Sequence, residues 1–470
     1  MKIFNTLTRK KDSFVPLEPG KVKIYACGPT VYNFIHIGNA RPLCVFDILR
    51  RYFEYRGFEV NYVQNFTDID DKLITKANTE GITVSEVAKR FTDEYIIDAE
   101  GLGVREATFH PKATENIDEI ISLVQSLFDK GYAYLAPDGV YFRTKKFDGY
   151  GKLSHMPLDE LSAGASERVS ASDGKEDSMD FCLWKLAKPN EPYWESPWGE
   201  GRPGWHIECS AMARRYLGNQ IDIHCGGEDL IFPHHENEIA QSECANGVGF
   251  ANYWMHNGFI NVDNKKMSKS VGNFFTVRDV AEIYGYEPIR YLMISSHYRS
   301  PINYSLDILT QCRSALDRLY TCRESLEFAI SKASDNDEFT PTQKEALDAY
   351  RQNFCTAMDD DFNTANALSV LYDLTKHINV NILTGTKTAE AQYALSLFNE
   401  LADVLGLLYV KQEASNDDAF ANEVETLIAE RAQARKDKDF AKADAIRDKL
   451  KEMNIVLEDT PQGVKWTVNH

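Results

Sequence analysis

Residues 21–64 read KVKIYACGPTVYNFIHIGNARPLCVFDILRRYFEYRGFEVNYVQ, and this stretch decides the fold. Between two β-rich runs, Leu43, Phe46 and Leu49 recur at the spacing of an amphipathic helix. A strand, a helix and a second strand in this order form a βαβ unit, which requires a parallel sheet. Because ligands of such sheets bind at the carboxyl ends of the strands, we expect a ligand site around HIGN, residues 36–39.

The composition indicates a multidomain globular chain. Its 470 residues exceed what one hydrophobic core organises, so several domains are expected. The formal charge of -19 means that a nucleic acid must meet local basic patches rather than the surface as a whole. An apolar signal region is lacking, and the nine cysteines are scattered, which argues against a disulfide framework. We therefore predict a cytoplasmic protein with no membrane contact, buried thiols and one metal site.

Changes of pattern along the chain predict an α/β fold. It comprises a split Rossmann-type nucleotide-binding catalytic domain with an inserted connective module, an α-helical bundle and a small mixed C-terminal domain. The predicted segments are 1–111 (first Rossmann half), 112–200 (connective insertion), 201–304 (second Rossmann half with the loop around 266–270), 305–408 (bundle) and 418–470 (C-terminal domain). Within the insertion, the polar run 162–178 is predicted to form an exposed, flexible loop.

Two short motifs indicate phosphate chemistry. HIGN opens the first long helix, where a helix N-terminus attracts anions, Gly38 permits close approach and His36 can donate to phosphate oxygens. KMSKS, residues 266–270, places Lys266 and Lys269 on a loop-like stretch. A helix N-terminus and a cluster of lysines can both meet an anion, although a solvated charged loop also explains the lysines.

The pair of motifs resembles the signatures of class I aminoacyl-tRNA synthetases. In that family they bind ATP, with Mg²⁺, and stabilise the transition state in which an amino acid carboxylate displaces pyrophosphate. The resemblance implies catalytic roles for His36, Lys266 and Lys269. It implies ATP-binding roles for His36, Gly38, Asn39, Asp229, Lys266 and Lys269. Asn39 stands where the HIGH form of the motif has its second histidine, and its amide can still donate a hydrogen bond.

A metal site is predicted from four scattered residues. His234 and Glu238 are four residues apart in PHHENE, so they share one helix face. The thiols of Cys27 and Cys209 would complete a tetrahedral set that suits zinc. Spacing alone leaves rival ligands open: His206, His224, Cys225 and His235.

A wider resemblance joins these segments. The cysteinyl-tRNA synthetase family contains, in the same order, segments similar to YACGPTVYNFIHIGNAR (25–41), NFTDIDDK (65–72), GRPGWHIECSAM (201–212), FPHHENEIAQS (232–242), YWMHNGF (253–259) and KMSKSVGNFFTVRD (266–279). In that family, positions matching Cys27, Cys209, His234 and Glu238 bind one zinc ion, which the thiolate of the substrate L-cysteine joins. The resemblance also implies that the bound cysteine is surrounded by Gly28, Thr67, Trp205 and His224.

Zinc would explain the choice of substrate. Pocket shape alone rejects serine only by about 10-fold to 200-fold, whereas zinc strongly prefers sulfur to a hydroxyl. Coordination also deprotonates the thiol, which the hydroxyl of serine does not match. An editing domain is then unnecessary.

The C-terminal segment is predicted to contact RNA. Between 431 and 451 there are eight Lys or Arg against four Asp. The family reads the cysteine anticodon with such a domain, so the resemblance implies that 418–470 binds the anticodon. Contacts are predicted for Arg431, Arg435, Lys436, Lys438 and Trp466, although a solvated helix face explains the same charges.

The sequence thus predicts an ATP-dependent, zinc-containing ligase that joins L-cysteine to cysteine tRNA. A monomer is expected, since the family is usually monomeric. Two alternatives remain open. A cysteine ligase of the mycothiol pathway resembles this catalytic core but joins cysteine to an amino sugar and lacks the C-terminal module. A paralogue that only binds RNA or zinc would not need both motifs and the complete zinc quartet.

Overall fold

The computed structural model describes residues 1–156, 174–262, 265–266, 275–332, 339–385, 387–410, 418–453, 455–460 and 463–468. Most of the polar run 162–178 therefore lies outside the described residues. The chain forms two compact units. The first comprises Met1–Ser314, Phe354–Leu368 and Val404–Leu407, and the second comprises Ala315–Asn353, Ser369–Asp403 and Leu408–His470.

The first unit contains strands and helices in alternation. Its strands are β1 (Lys2–Asn5), β2 (Lys10–Ser13), β3 (Lys21–Ala26), β4 (Glu59–Gln64), β5 (Ala133–Ala136), β6 (Gly139–Phe142), β7 (Phe181–Leu186), β8 (Gly201–Pro203), β9 (Ile221–Gly227), β10 (Ala251–Asn257), β11 (Ile260–Val262), β12 (Lys265–Lys266) and β13 (Ile302–Tyr304). Its helices are α1 (Ile37–Tyr55), α2 (Asp71–Glu80), α3 (Val84–Gly101), α4 (Ile117–Asp129), α5 (Trp205–Leu217), α6 (Glu236–Asn246), α7 (Val277–Tyr284) and α8 (Tyr286–Ile294).

A parallel sheet organises this unit. Its strands lie in the order β10, β9, β3 and β4. The register pairs Ile24 of β3 with Tyr62 of β4 on one side and with Ile223 of β9 on the other. Strands from both sides of residues 112–200 therefore share one sheet, while β5, β6, β7 and β8 form a separate antiparallel sheet. The predicted split Rossmann-type fold with an inserted module is confirmed.

A buried ionic cluster fixes α1 against α8. The Asp47 carboxylate accepts hydrogen bonds from Arg51 Nε at 2.7 Å and from Arg290 Nη2 at 2.5 Å. Arg290 also donates to the carbonyls of Leu102 and Leu405, at 3.1 and 3.0 Å. Burial alone would raise the pKa of Asp47, but the two guanidinium groups outweigh it and lower the pKa. The cluster holds α1, whose first turn carries HIGN.

Replacing Arg290 by Met is expected to destabilise the first unit by about 3–5 kcal/mol, because it leaves the buried Asp47 charge with one guanidinium partner instead of two. The check is the midpoint of thermal unfolding, followed by circular dichroism. Arg447→Met is the control. Arg447 is exposed and, within the described part of the chain, pairs with exposed Asp444 and Asp448, so its loss costs at most about 1 kcal/mol. Equal midpoints for the two variants would contradict the cluster's role.

Helices dominate the remainder of the described chain. They are α9 (Leu306–Lys332), α10 (Pro341–Asp359), α11 (Thr364–His377), α12 (Thr388–Val404), α13 (Asp418–Lys436) and α14 (Phe440–Glu452). A hairpin of β14 (Ile455–Thr460) and β15 (Gly463–Val468) follows. The last two helices and the hairpin share a small core of Val424, Leu427, Ile446, Leu450 and Ile455. The predicted helical bundle and mixed C-terminal segment are present.

Candidate active site

A cavity of about 510 Å³ opens where the strands of the parallel sheet end. Its wall contains the last residues of three strands, Gln64, Gly227 and Asn257, and Cys27, which directly follows β3. A cavity therefore opens at the edge of the sheet where the sequence predicts a ligand site. This volume is in the range of sites that hold a small-molecule substrate or cofactor.

HIGN forms one wall of the cavity through His36, Gly38 and Asn39. The motif begins α1, with His36 as its N-cap. The side-chain oxygen of Asn39 accepts a hydrogen bond from the His36 backbone N–H at 3.0 Å, as the third helical residue does in a capping box. Asn39 therefore fixes the start of the helix beside the cavity through its side-chain oxygen. Its NH₂ group is left for the hydrogen bond that the sequence predicts it to donate.

The segment that contains KMSKS is attached beside HIGN at both ends. On the C-terminal side, the Ile37 N–H donates to the Phe275 carbonyl at 3.1 Å. On the N-terminal side, β12 pairs with β11, whose first residue lines the cavity. Lys269 and the side chain of Lys266 lie outside the described residues, so their roles stay predictions.

Four predicted metal ligands converge at the end of the cavity occupied by Cys27. The ligand atoms of Cys27, Cys209, His234 and Glu238 all lie within 4.8 Å of one another. The two sulfurs are 3.8 Å apart, and His234 Nε2 lies 3.0 Å from Glu238 Oε1. Two sulfurs held at about 2.3 Å from one zinc ion in a tetrahedron are separated by about 3.8 Å. The donor set and this sulfur separation fit zinc.

A second set shares two of these residues. Cys27, His224, His235 and Glu238 also bring their ligand atoms within 4.8 Å of one another. His224 Nε2 lies 2.8 Å from Glu238 Oε2, and His235 Nδ1 bonds His256 Nε2 at 2.8 Å. This set offers one thiol instead of two. The first set therefore suits a thiophilic metal better, with His224 and His235 placed to orient its ligands.

The other two rival ligands belong to neither set. His206 Nδ1 lies 2.9 Å from His234 Nδ1, on the side of that ring opposite the Glu238 contact. The thiol of Cys225 donates to the Tyr25 carbonyl at 3.5 Å. The positions of the ligand atoms thus leave His206 and Cys225 out of both sets, a distinction that spacing in the sequence could not make.

Electrostatics prepare two of the four predicted ligands, Cys209 and Glu238, for a metal ion. The hydrogen bond from Cys27 lowers the pKa of the Cys209 thiol to about 6, with His234 acting in the same direction. Burial would raise the pKa of Glu238, but His224 and His234 lower it to about 2. Burial likewise opposes charge on His234, yet the Glu238 carboxylate raises its pKa to about 10. At neutral pH the Cys209 thiolate and the Glu238 carboxylate are therefore anionic, whereas the raised pKa values of Cys27 and His234 keep these two groups protonated, so a dication must displace two protons when it binds.

The residues predicted to surround the bound amino acid form two layers. Gly28 and Trp205 line the cavity, and the Trp205 ring centroid lies 4.4 Å from that of His234. A Cβ at Gly28 would lie 1.6 Å from the Asn65 carbonyl oxygen, so only glycine fits there. Thr67 lies behind the wall, where its hydroxyl donates to buried Glu208 at 2.8 Å, and His224 lies behind Glu238.

Comparisons with known proteins agree with this geometry. Residues 13–314 match a family profile described as the catalytic domain of class I (C) tRNA synthetases, 353–409 a DALR domain, and 417–466 a cysteinyl-tRNA ligase anticodon-binding domain. The cysteine--tRNA ligase of Clostridioides difficile (strain 630) is 54% identical over 99% of both chains, and that of Caldicellulosiruptor saccharolyticus is 55% identical over 99% of both. The chain belongs to the cysteine--tRNA ligase family. It is therefore a class I aminoacyl-tRNA synthetase.

Solved structures show the same fold. Mycobacterium tuberculosis methionyl-tRNA synthetase in complex with methionyl-adenylate superposes with a TM-score of 0.60 at 17% identity, covering 82% of this chain and 89% of that one. The profile match at 417–466 also bears on one of the two alternatives left open by the sequence. An anticodon-binding domain has no part in joining cysteine to an amino sugar, so the mycothiol-pathway alternative is not supported.

Several cavity residues of this cysteine--tRNA ligase family member were not predicted. Asp229 lines the cavity as expected, but so do Tyr32, Lys72 and Asn257. The segments NFTDIDDK and YWMHNGF, noted only as family-like, contain Lys72 and Asn257. A closer look at the polar residues within those segments could have found both.

The predicted RNA contacts differ in exposure. Arg435, Lys436 and Lys438 are exposed at the end of α13 and just beyond it, whereas Arg431 is half-buried. Trp466 packs partly against the core of the C-terminal segment, which gives its indole a structural role.

Among the described residues, every helix is too short or too polar to cross a lipid bilayer.

Proposed function

We propose that the protein activates L-cysteine with ATP to cysteinyl-adenylate in the 510 Å³ cavity and transfers it to the 3' end of cysteine tRNA. One observation carries this proposal. A single cavity joins a thiol-rich metal quartet at Cys27 to a helix N-terminus at His36, so one site can hold a sulfur-containing amino acid and a nucleotide phosphate together. Membership of the cysteine--tRNA ligase family supports the same reaction.

Amino acid selection is assigned to Cys27, Cys209, His234 and Glu238, which would hold one zinc ion. Zinc supplies, when bound, a preference for sulfur over oxygen and a lowered thiol pKa. The side chain of Trp205 covers this end of the cavity, and Gly28 keeps its floor free of a side chain. His224, by its contact with Glu238, fixes the carboxylate orientation from behind, while Thr67 fixes Glu208 next to Cys209.

Adenylate formation is assigned to the residues at the nucleotide end. The N–H groups of the α1 N-terminus, His36 and Asn39 bind phosphate oxygens, and Gly38 permits the close approach of ATP. Asp229 accepts hydrogen bonds from the ribose. Lys266 and Lys269 neutralise the charge that develops as the cysteine carboxylate displaces pyrophosphate, with Mg²⁺ accompanying ATP. No covalent nucleophile is needed.

The second substrate is read by the C-terminal domain, which we place at 418–470. Its match to an anticodon-binding profile supports this role. The catalytic halves at 1–111 and 201–304, the insertion at 112–200 and the bundle at 305–408 complete the proposed domain plan. One chain supplies both motifs, the metal quartet and the C-terminal domain, which supports a monomer. The use of ATP and tRNA supports a location in the cytoplasm, where both occur.

Amino-acid-dependent exchange of labelled pyrophosphate into ATP tests the proposed function. Exchange should occur with cysteine and fall to background with serine and alanine. Exchange followed by charging of tRNA, and not of an amino sugar, would complete the assignment. Failure of cysteine to support exchange would refute the proposal.

The RNA-binding assignment predicts a selective effect. The double variant Lys436→Glu, Lys438→Glu should lower kcat/KM for tRNA by about 10-fold or more while leaving cysteine-dependent exchange unchanged, because it removes phosphate contacts without changing a residue that lines the cavity. The control Lys89→Glu, Lys332→Glu has the same change in net charge on exposed helix positions elsewhere. Equal aminoacylation by both double variants would show that Lys436 and Lys438 do not contact tRNA.

A further inference from the structure

Lys72 belongs to the catalytic cavity without an assigned role. It is the second residue of α2, is exposed to solvent and lines the cavity together with Tyr32, His36 and Asp229. Its Nζ lies 5.4 Å from the centroid of the Tyr32 ring. A cation above an aromatic ring is oriented by that ring but keeps its positive charge and its N–H donors for other partners.

The three aspartates next to Lys72 in the sequence contact groups other than its ammonium group. In TDIDDK, Asp68 accepts from the Thr114 backbone and hydroxyl, at 3.0 and 2.5 Å. Asp70 caps α2 by accepting from the backbone N–H of Lys72 at 2.9 Å. Asp71 pairs with Lys185 Nζ at 2.7 Å and with Arg202. Within the described residues, the ammonium group of Lys72 therefore has a ring as its neighbour and no carboxylate partner.

Lys72 differs in charge from the other described residues of the cavity wall. Among the described residues that line the cavity, Lys72 is the one with a permanent positive charge, and Asp229 carries the opposite charge. The protein as a whole has a formal charge of -19, so its overall field repels a polyanion. An ammonium group that lines the cavity, and that has no ion-pair partner among the described residues, is then a local attraction for an anionic substrate group.

We propose that Lys72 is a phosphate-binding residue of this cavity, which donates charge-assisted hydrogen bonds to a phosphate of ATP or to a phosphate of the tRNA 3' end. Both sources present the same oxyanion. The inference rests on the proposed function of the cavity, and it adds to the lysines of KMSKS a cationic group from a different segment of the chain. Tyr32 acts as a positioning residue, because its ring orients the ammonium group.

The test uses the full-length protein and three variants. Lys72→Met removes the charge and keeps most of the stem, and Lys72→Arg keeps the charge. Lys76→Met is the matched control, since Lys76 lies one turn later on α2, over the Phe91 ring at 5.0 Å, but pairs with Glu80 at 3.1 Å and does not line the cavity. Two reactions are measured: cysteine-dependent pyrophosphate exchange at varied ATP, and single-turnover transfer from preformed adenylate to tRNA.

Loss of a charge-assisted contact should slow one of these reactions by about 10-fold to 100-fold in Lys72→Met. A loss in exchange assigns the phosphate to ATP, and a loss in transfer with normal exchange assigns it to tRNA. In either case Lys72→Arg should recover most of the rate and Lys76→Met should match the wild type.

Four results would overturn the inference: rates of Lys72→Met within about two-fold of wild type in both reactions, an equal loss in Lys72→Arg, an equal loss in Lys76→Met, or a rise in KM for cysteine alone. The last would assign Lys72 to the amino acid carboxylate. Absence of exchange in the wild type would refute the proposed function and this inference together, whereas the other results refute only the role of Lys72.

Discussion

Cys209→Ser is expected to lose zinc and cysteine-dependent exchange together, with kcat/KM for cysteine falling by more than about 100-fold. Changes to groups that merely contact a metal ligand cost about 10-fold to 100-fold, so loss of a direct thiolate ligand costs more. Serine is nearly isosteric, but its hydroxyl does not ionise near neutral pH, whereas the pKa of the Cys209 thiol is about 6. Metal content of the purified variant, measured by atomic emission, is the decisive readout.

Cys225→Ser provides the matched control for this experiment. Cys225 is buried on β9 near the same site, yet its thiol donates to the Tyr25 carbonyl at 3.5 Å, a bond that a serine hydroxyl can replace. This variant should keep one zinc per chain and its exchange activity. If Cys209→Ser retained stoichiometric zinc, the second histidine-rich set would be the correct ligand group.

Lys269→Ala is expected to lower the rate of adenylate formation by about 100-fold or more while leaving KM for cysteine nearly unchanged. A positioned cation that stabilises charge only in the transition state affects kcat rather than substrate affinity. The bond from the Ile37 N–H to the Phe275 carbonyl places Phe275, the first described residue after this motif, beside HIGN. Single-turnover formation of the adenylate in a quenched-flow instrument measures the effect directly.

Lys265→Ala serves as the control. This substitution removes the same charge, but at a residue that precedes the KMSKS pentamer. Its rate of adenylate formation should stay within about two-fold of the wild type. A Lys269→Ala enzyme as fast as this control would exclude charge stabilisation by Lys269.

The central fold could be predicted because its signals are local. The βαβ pattern of residues 21–64 combines helical periodicity with flanking strands, and it places HIGN at the carboxyl end of β3 without knowledge of distant contacts. Likewise, the spacing of His234 and Glu238 shows that both can reach one ion. These features depend on neighbours along the chain.

The remaining features depend on how distant segments meet. Sequence spacing could not separate His235 from His234, because the choice rests on the direction of each ring relative to Cys27 and Cys209. Lys72 was missed since three aspartates within four residues look like its partners, yet each is held by another group. Trp466 was predicted to stack on RNA, and its partial burial against the C-terminal core could not be seen from its position in the chain.

The split of the parallel sheet has a consequence for synthesis on the ribosome. Cys27 and Cys209 are 182 residues apart, and translation proceeds at about 5–20 residues per second, so the first thiol emerges roughly 9–36 s before the second. During that interval the nascent chain carries Cys27 without the second thiol of the predicted metal quartet. Reducing conditions during synthesis would keep this first thiol free until its partner arrives.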